Sequence, residues 1–462
     1  MFLELDKKDG KKIALTDSGK QIVSYEEIIN FGKNFYEVIG RRTLIFVLCS
    51  NCVGAAAGYL GAMIHHIVPL MLGASMDRQL LGELVRVYHP EYIWKPVSMV
   101  EDHERILLER YQYVLVATGL KSYPLYEELS LLLTTSGSTG SPKLVRHSYG
   151  NLEAQARNIS AFFELDDMEK PMLDLPINYT YGLSVLNSHL YSGATVLLTS
   201  MNPLNPGYWE FLKTNEATSI TNVPYYYEIL KKLRFFRMEL PSLRTISQGG
   251  GKLNEELHKE FAEYAQNTGR RFIVTYGQTE GSARMAWLPP KYALSKCGSI
   301  GKAIPNGHLF LVDESGNEIT EPYTIGEMVY EGPNVTLGYA QSGEDLILGD
   351  ERHGILYTGD MVKTDKDGFF YIVGRKKRFL KLWGYRVGLD ECENIIKSAF
   401  DVECACIGND ECMEIYVTTE KDHDKIRRYI SDKTNINSSA FKVCYIEKLP
   451  RNEAGKILYS KL

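Results

Sequence analysis

Residues 131 to 143, LLLTTSGSTGSPK, put an apolar run directly in front of Gly, Ser and Thr and close with Pro142 and Lys143. Glycine lets backbone amides approach phosphate oxygens, the hydroxyls of Thr135, Ser136, Ser138 and Thr139 add donors, and Lys143 adds positive charge. The stretch through Gly137 and Gly140 is therefore a phosphate loop by its chemistry. Its spacing differs from the GxxxxGK[ST] loop of nucleotide triphosphatases, because two residues separate Gly140 from Lys143 and Leu144 follows. A four-residue Ser/Gly surface turn is common, but nine such residues in order after an apolar strand are not. Further polar clusters recur downstream in SQGGGKL, VTYGQTE, YTGD, GRKKR and LPRNEAGK.

These groups need elements to hold them. Up to about residue 290, apolar runs alternate with amphipathic stretches: LLLTTS then NLEAQARNISAFF, ATVLLTS then YWEFLKTN, and LHKEFAEYAQN then RFIVTYG. That is α/β patterning. The stretch from Thr43 to Met76 carries no Asp, Glu, Lys or Arg. Asn51, His65, His66 and Pro69 interrupt it as a membrane span, and it reads as strand, Ala/Gly-rich helix (Val53 to Ile64) and second strand, with strands apolar throughout because helices cover both faces. From Gly298 to Asp367 short strands and turn signals predict a β-rich subdomain. After GRKKR, a helix near Glu391 to Ala399, a strand pair and a helix near His423 to Lys433 predict a small α+β module.

With 462 residues, more than one domain is expected. A net charge of -6 gives no basic field for nucleic acid or anionic membrane. Eight cysteines in such a length are no disulfide framework, and the start lacks a signal-peptide core, so a cytoplasmic, reduced protein is expected. Cys49 and Cys52 form a CxxC without a matching pair, and Cys404 and Cys406 alternate as on one strand face, so both sets read as packing. The basic run RKKR follows a strand in an acidic protein and reads as a solvated hinge.

Taken together and in order, the motifs resemble the adenylate-forming superfamily of acyl-CoA synthetases, firefly-type luciferases and peptide-synthetase adenylation domains. Thr135 to Lys143 is similar to its TSG[ST]TGxPK loop, and the resemblance runs from about residue 10 to the end. It implies a large N-terminal domain, 1–376, of parallel-sheet α/β subdomains with a small β-rich subdomain at about 298–376. A small mobile α+β C-terminal domain, 377–462, follows. It implies an ATP- and Mg2+-dependent ligase that forms an acyl-adenylate and passes the acyl group to CoA or a phosphopantetheine carrier protein. Alternatives are a D-alanine-like carrier-protein ligase and an adenylate-only or luciferase-like monooxygenase.

By the same resemblance, Gly249, Gly250 and Gly251 lie along the adenine, Tyr276 stacks on it, and Gly277 and Gln278 belong to the nucleotide site. Thr279 contacts the α-phosphate, Glu280 holds magnesium, and Asp360 with Arg375 grips the ribose. Lys456 is the catalytic lysine: attack of a carboxylate on the α-phosphate brings anions together, and a point charge on a short tail relieves that repulsion. Thiol attack needs that lysine withdrawn, so the C-terminal domain is expected to swing about Lys377 and present Gly384 to the pantetheine. Tyr179 and Thr180 of LPINYTYGL belong to the acyl pocket. Asp is absent at 180, where amino-acid-activating members carry it, so an uncharged aliphatic or aryl acid is expected. Tyr225, Tyr226 and Tyr227 are further pocket-wall candidates.

Overall fold

A computed structural model of the chain describes residues 1–134, 143–376, 378–382, 385–409, 411–434, 436–452 and 455–462. The chain divides into two compact units. Among the described residues the first comprises 1–134, 143–308 and 331–356, and the second Leu309–Tyr330 and Tyr357–Leu462.

The first unit is built on two sheets. In one, of eight strands, Leu129–Thr134, Val68–Gly73, Leu44–Cys49 and Tyr92–Pro96 run parallel at the centre. The reading of Thr43 to Met76 as strand, helix, strand holds: both strands and the helix Val53–Ile64 are buried along their whole length. In the other sheet, of nine strands, Arg271–Tyr276, Thr245–Gln248, Ser219–Asn222 and Pro171–Leu173 lie side by side and parallel. In register, Ile220 faces Ile246, which faces Phe272. Continuous apolar strands of this kind need helices on both faces, and here they have them.

Several candidate site segments leave the carboxyl ends of these parallel strands, where open α/β sheets bind ligands. Gly249 follows Gln248, Gly277 follows Tyr276, and the segment from Asp174 leads from Pro171–Leu173 into the helix Thr180–Tyr191. That helix has Tyr179 at its N-cap.

A five-stranded sheet includes His308–Val312, Gly326–Glu331, Ile355–Thr364 and Phe370–Arg375, the last two paired antiparallel. The strands between Gly298 and Lys376 are shared among three sheets. Lys302–Ala303 pairs at the edge of the nine-stranded sheet, and Gly338–Ala340 pairs with Leu144–Ser148 in the eight-stranded one. Such long-range pairing leaves no local mark in sequence.

After residue 378 come a two-stranded ribbon, the helix Leu389–Phe400, the antiparallel pair Cys404–Gly408 and Met413–Val417, the helix His423–Thr434, and the strand Phe441–Tyr445 parallel to Met413–Val417. Cys404 and Cys406 point into its core together with Ile415, Ile426 and Ile430. Cys49 is buried, Cys52 half-buried, and no group of three or more His, Cys, Asp or Glu among the described residues could hold a metal.

Within the basic run Arg375 and Lys376 are exposed and Arg378 is half-buried. Lys376 pairs with Glu327 at 2.7 Å, and Arg378 is fixed between Asp390, Glu393 and the Cys406 carbonyl.

Candidate functional site

The loop from Tyr276 to Met285 organises the site in the first unit. It joins two antiparallel strands, with the Met285 amide donating to the Tyr276 carbonyl at 2.8 Å and the Ala283 amide to the Gln278 carbonyl at 3.1 Å. The turn is so tight that a Cβ on residue 277 would stand 1.4 Å from the Ala283 carbonyl oxygen, so only glycine fits. Ser282 and Ala283 both sit at positive φ, 50° and 97°. Side-chain-bearing residues in such conformations cluster at functional sites.

Neighbouring segments hold this loop by its carbonyls. The Glu280 oxygen accepts from the Thr336 amide and hydroxyl, each at 3.0 Å, and from Arg352 Nη1 at 3.3 Å. Asn334 Nδ2 donates to the Gly281 oxygen at 2.7 Å. Underneath, His147 is wholly buried with Nδ1 3.2 Å from Ser282 Oγ. Burial lowers its pKa to about 3, with the charge of Arg352 acting the same way, so the ring is neutral.

Glu280 and Lys143 meet at one tyrosine. The Tyr339 hydroxyl donates to Glu280 Oε1 at 2.7 Å, Lys143 Nζ stands 3.4 Å from the ring centroid, and Arg352 Cζ lies 4.5 Å from it. Two cations within this range of one ring are each attracted by its negative face. The bond to Oε1 leaves Oε2 of Glu280 for a cation. Magnesium keeps most of its shell for water and phosphate and takes one or two protein carboxylates, so a glutamate with one oxygen open fits it.

Thr180 Oγ1 lies 3.4 Å from Thr279 Oγ1. The proposed acyl-pocket segment and the proposed α-phosphate contact are therefore neighbours. Tyr276 is nearly buried and accepts from Gln278 Nε2 at 3.3 Å. At Gly249 an added Cβ would meet Thr275 Oγ1 at 2.6 Å and the Tyr181 hydroxyl at 2.7 Å, so close side-chain packing demands glycine there. Gln248 Nε2 donates to the Gly251 carbonyl at 2.7 Å, and Gly250 takes φ 76°. Tyr226 and Tyr227 are core residues: their hydroxyls bond to the Tyr208 hydroxyl and the Ser247 carbonyl.

In the second unit, Asp360 and Arg375 are cross-strand partners with Oδ1 and Nε 3.3 Å apart. Asp360 is buried and Arg375 exposed, which aims the guanidinium outward from a fixed carboxylate. Lys456 is exposed on a closed turn, with its amide bonded to Asn452 Oδ1 at 2.9 Å and the Asn452 amide to its carbonyl at 2.9 Å. Thr135, Ser136, Gly137, Ser138, Thr139, Gly140, Lys377 and Gly384 lie outside the described residues. Sequence reasoning passed over Tyr339, Arg352 and Arg284. Each stands in an unremarkable local context, and only packing reveals it.

A family model described as AMP-binding enzyme matches residues 39–340. A 2-succinylbenzoate–CoA ligase of Bacillus thuringiensis subsp. konkukian (strain 97-27) is 29% identical over 463 residues, covering 95% of this chain and 92% of the relative. Its counterpart in Bacillus mycoides (strain KBAB4) is 30% identical over 348 residues, 73% of this chain and 70% of the relative. Among solved structures, O-succinylbenzoate Coenzyme A synthetase from Bacillus subtilis in complex with AMP matches with a TM-score of 0.81 at 21% identity, covering 100% of this chain and 97% of that one. ATP-bound MatB from Rhodopseudomonas palustris gives 0.78 at 22% identity, covering 99% and 97%. The structural likenesses bear out the α/β fold, and the family match places the chain: it belongs to the AMP-binding enzyme family of adenylate-forming proteins.

Proposed function

We propose that this protein is an ATP-dependent carboxylic acid–CoA ligase, which forms an acyl-adenylate with release of pyrophosphate and then a thioester. The observation that supports the reading is the contact of Thr180 with Thr279, by which the N-terminus of the helix Thr180–Tyr191 meets the loop that carries Glu280. Of the two acceptors in the sequence reading, CoA is supported by the CoA ligases among the relatives and the carrier protein is not. The relatives' names supply no support for the monooxygenase alternative.

In this reading the carboxylate approaches the α-phosphate beside Thr279, and the hydroxyl-rich loop 135–142 with Lys143 holds the β- and γ-phosphates. Magnesium, when bound at Glu280, neutralises phosphate charge and so eases approach of a second anion. Asp360 and Arg375 take the ribose hydroxyls. Residues 377–462 form the moving domain, with Lys377 as hinge and Gly384 at the thiol channel, and Lys456 serves adenylation alone. The enzyme works in the cytoplasm. Among the described residues no helix is long and apolar enough to cross a membrane.

ATP–pyrophosphate exchange across a panel of carboxylic acids, followed by CoA addition and thioester detection by mass, tests the activity. Silence across the panel would overturn it. Lys456→Ala is expected to slow exchange by orders of magnitude while thiolysis of supplied acyl-adenylate persists. Equal loss in both steps would contradict the division of labour between domain positions.

A further inference from the structure

Behind the Thr180–Thr279 contact lies a cation without an anion. Arg284 is 1% exposed and forms no ion pair with any described residue. Its Nη1 donates to Ser184 Oγ at 3.0 Å, while Nε has no acceptor. The rings of Tyr181 and Phe163 lie 5.0 and 5.1 Å from Cζ, and Gln155, which donates to the Arg284 carbonyl at 3.1 Å, leaves its own Oε1 unpartnered.

Aromatic faces attract a guanidinium but do not neutralise it. A buried, unpaired charge costs several kcal/mol, and a water molecule in the gap would leave the charge in place. The loop nevertheless aims Arg284 inward from Ala283, whose φ of 97° is itself unfavourable. A buried guanidinium with an open Nε donor, held by Ser184 on the helix that begins at Thr180, is suited to an anionic partner.

Its place along the helix sets the ligand's dimensions. Thr180, beside Thr279, marks where the reacting carboxylate lies, and Ser184, which holds Arg284, is four residues further along the Thr180–Tyr191 helix. At 1.5 Å per residue the two positions are on the order of 6 Å apart. Tyr181, on the turn between them, lays its ring 5.0 Å from Arg284 Cζ and packs its hydroxyl against Gly249. A group that displaces this ring gains the guanidinium and the phenol as donors together.

We propose that the acid activated by this protein carries a second anionic group, and that Arg284 with the Tyr181 hydroxyl receives it. The inference rests on the ligase reading above, and it replaces the uncharged acid expected from the absence of Asp at position 180. Short dicarboxylic acids match the spacing, and bidentate pairing of carboxylate with guanidinium supplies the specificity.

Exchange measured on the full-length protein with Mg2+ and ATP, using glutarate against pentanoate and adipate against hexanoate, tests it. In at least one pair the dicarboxylate is expected to be favoured in kcat/KM by roughly ten- to a hundred-fold. Arg284→Met should abolish that preference and Arg284→Lys should keep part of it. Should Arg284→Met fail to fold, Tyr181→Phe, which removes one donor, should narrow the ratio several-fold. Monocarboxylates equal to or better than their partners, or a ratio unmoved by a folded Arg284→Met, would overturn the inference and leave the ligase reading intact. Exchange with no acid of either kind, in this set or the wider panel, would sink both.

Discussion

Tyr339 links Glu280 and Lys143, two candidate site residues of the first unit. Its hydroxyl fixes one oxygen of Glu280, and its ring gives Lys143 a resting place 3.4 Å away. Burial raises the phenol's pKa above its ordinary value, with Glu280 acting in the same direction, so it remains a donor. Removing groups that orient a metal ligand typically costs ten- to a hundred-fold in metal affinity. Tyr339→Phe keeps the ring and loses the hydroxyl, so it is expected to raise the Mg2+ needed for half-maximal exchange by roughly ten-fold. Calorimetry of ATP binding with and without Mg2+ should show the loss only in the Mg2+ arm. An unchanged Mg2+ requirement would mean that Tyr339 merely packs.

At the scale of elements, residue types and periodicity disclosed a good deal. The βαβ unit from Leu44 to Gly73, the helices Tyr149–Phe163 and Glu255–Asn267 and the order of the C-terminal module follow from apolar periodicity and from Gly and Pro punctuation. The partners of short edge strands do not, because Gly338–Ala340 is chosen by a strand almost two hundred residues away. For the site, glycines and hydroxyls announce themselves. Arg284 does not: ARMAWL reads as an ordinary strand approach, and its lack of an anion appears only once its neighbours are known. Arg378 is another such case. Burial would lower its pKa, but Glu393 and Asp390 raise it, and Tyr459 lies 3.8 Å from Cζ while donating to Glu393 Oε2 at 3.1 Å. This cluster ties residue 378 to the helix Leu389–Phe400. Arg378→Ala strands two partly buried carboxylates and is expected to lower the stability of the module by ~3 kcal/mol. Urea unfolding of the full chain followed by proteolysis of the C-terminal region would register it as early cleavage after residue 378, and a cleavage pattern matching the wild type would refute it.

Over the whole molecule, the buried histidines set the response to acid. Burial lowers His147 to about 3 and His189 to about 4 from an ordinary 6.5, and the charges of Arg352 and Arg284 respectively add to this. His189 also has a favourable contact, its Nδ1 lying 2.8 Å from the Val185 carbonyl. Between pH 6.5 and these lowered values the unfolded chain binds protons that the folded chain refuses. The histidines' contribution to stability therefore rises with pH through this window, is full above 6.5, and is lost on acidification. Each histidine contributes a slope of about 1.4 kcal/mol per pH unit. Asp174, pushed up to about 7 by burial despite its bonds from Asn222 at 2.9 and 3.0 Å, works oppositely between 3.8 and 7. The net curve is thus a difference, and the test lies in a variant. His147→Asn keeps a polar partner for Ser282 and cannot charge, so its stability relative to wild type should improve by about 1.4 kcal/mol for each pH unit below 6.5. Urea unfolding at pH 7.5, 6.0 and 5.0 measures this difference, and a gap that stays constant with pH would show that His147 is charged or hydrated in the folded protein.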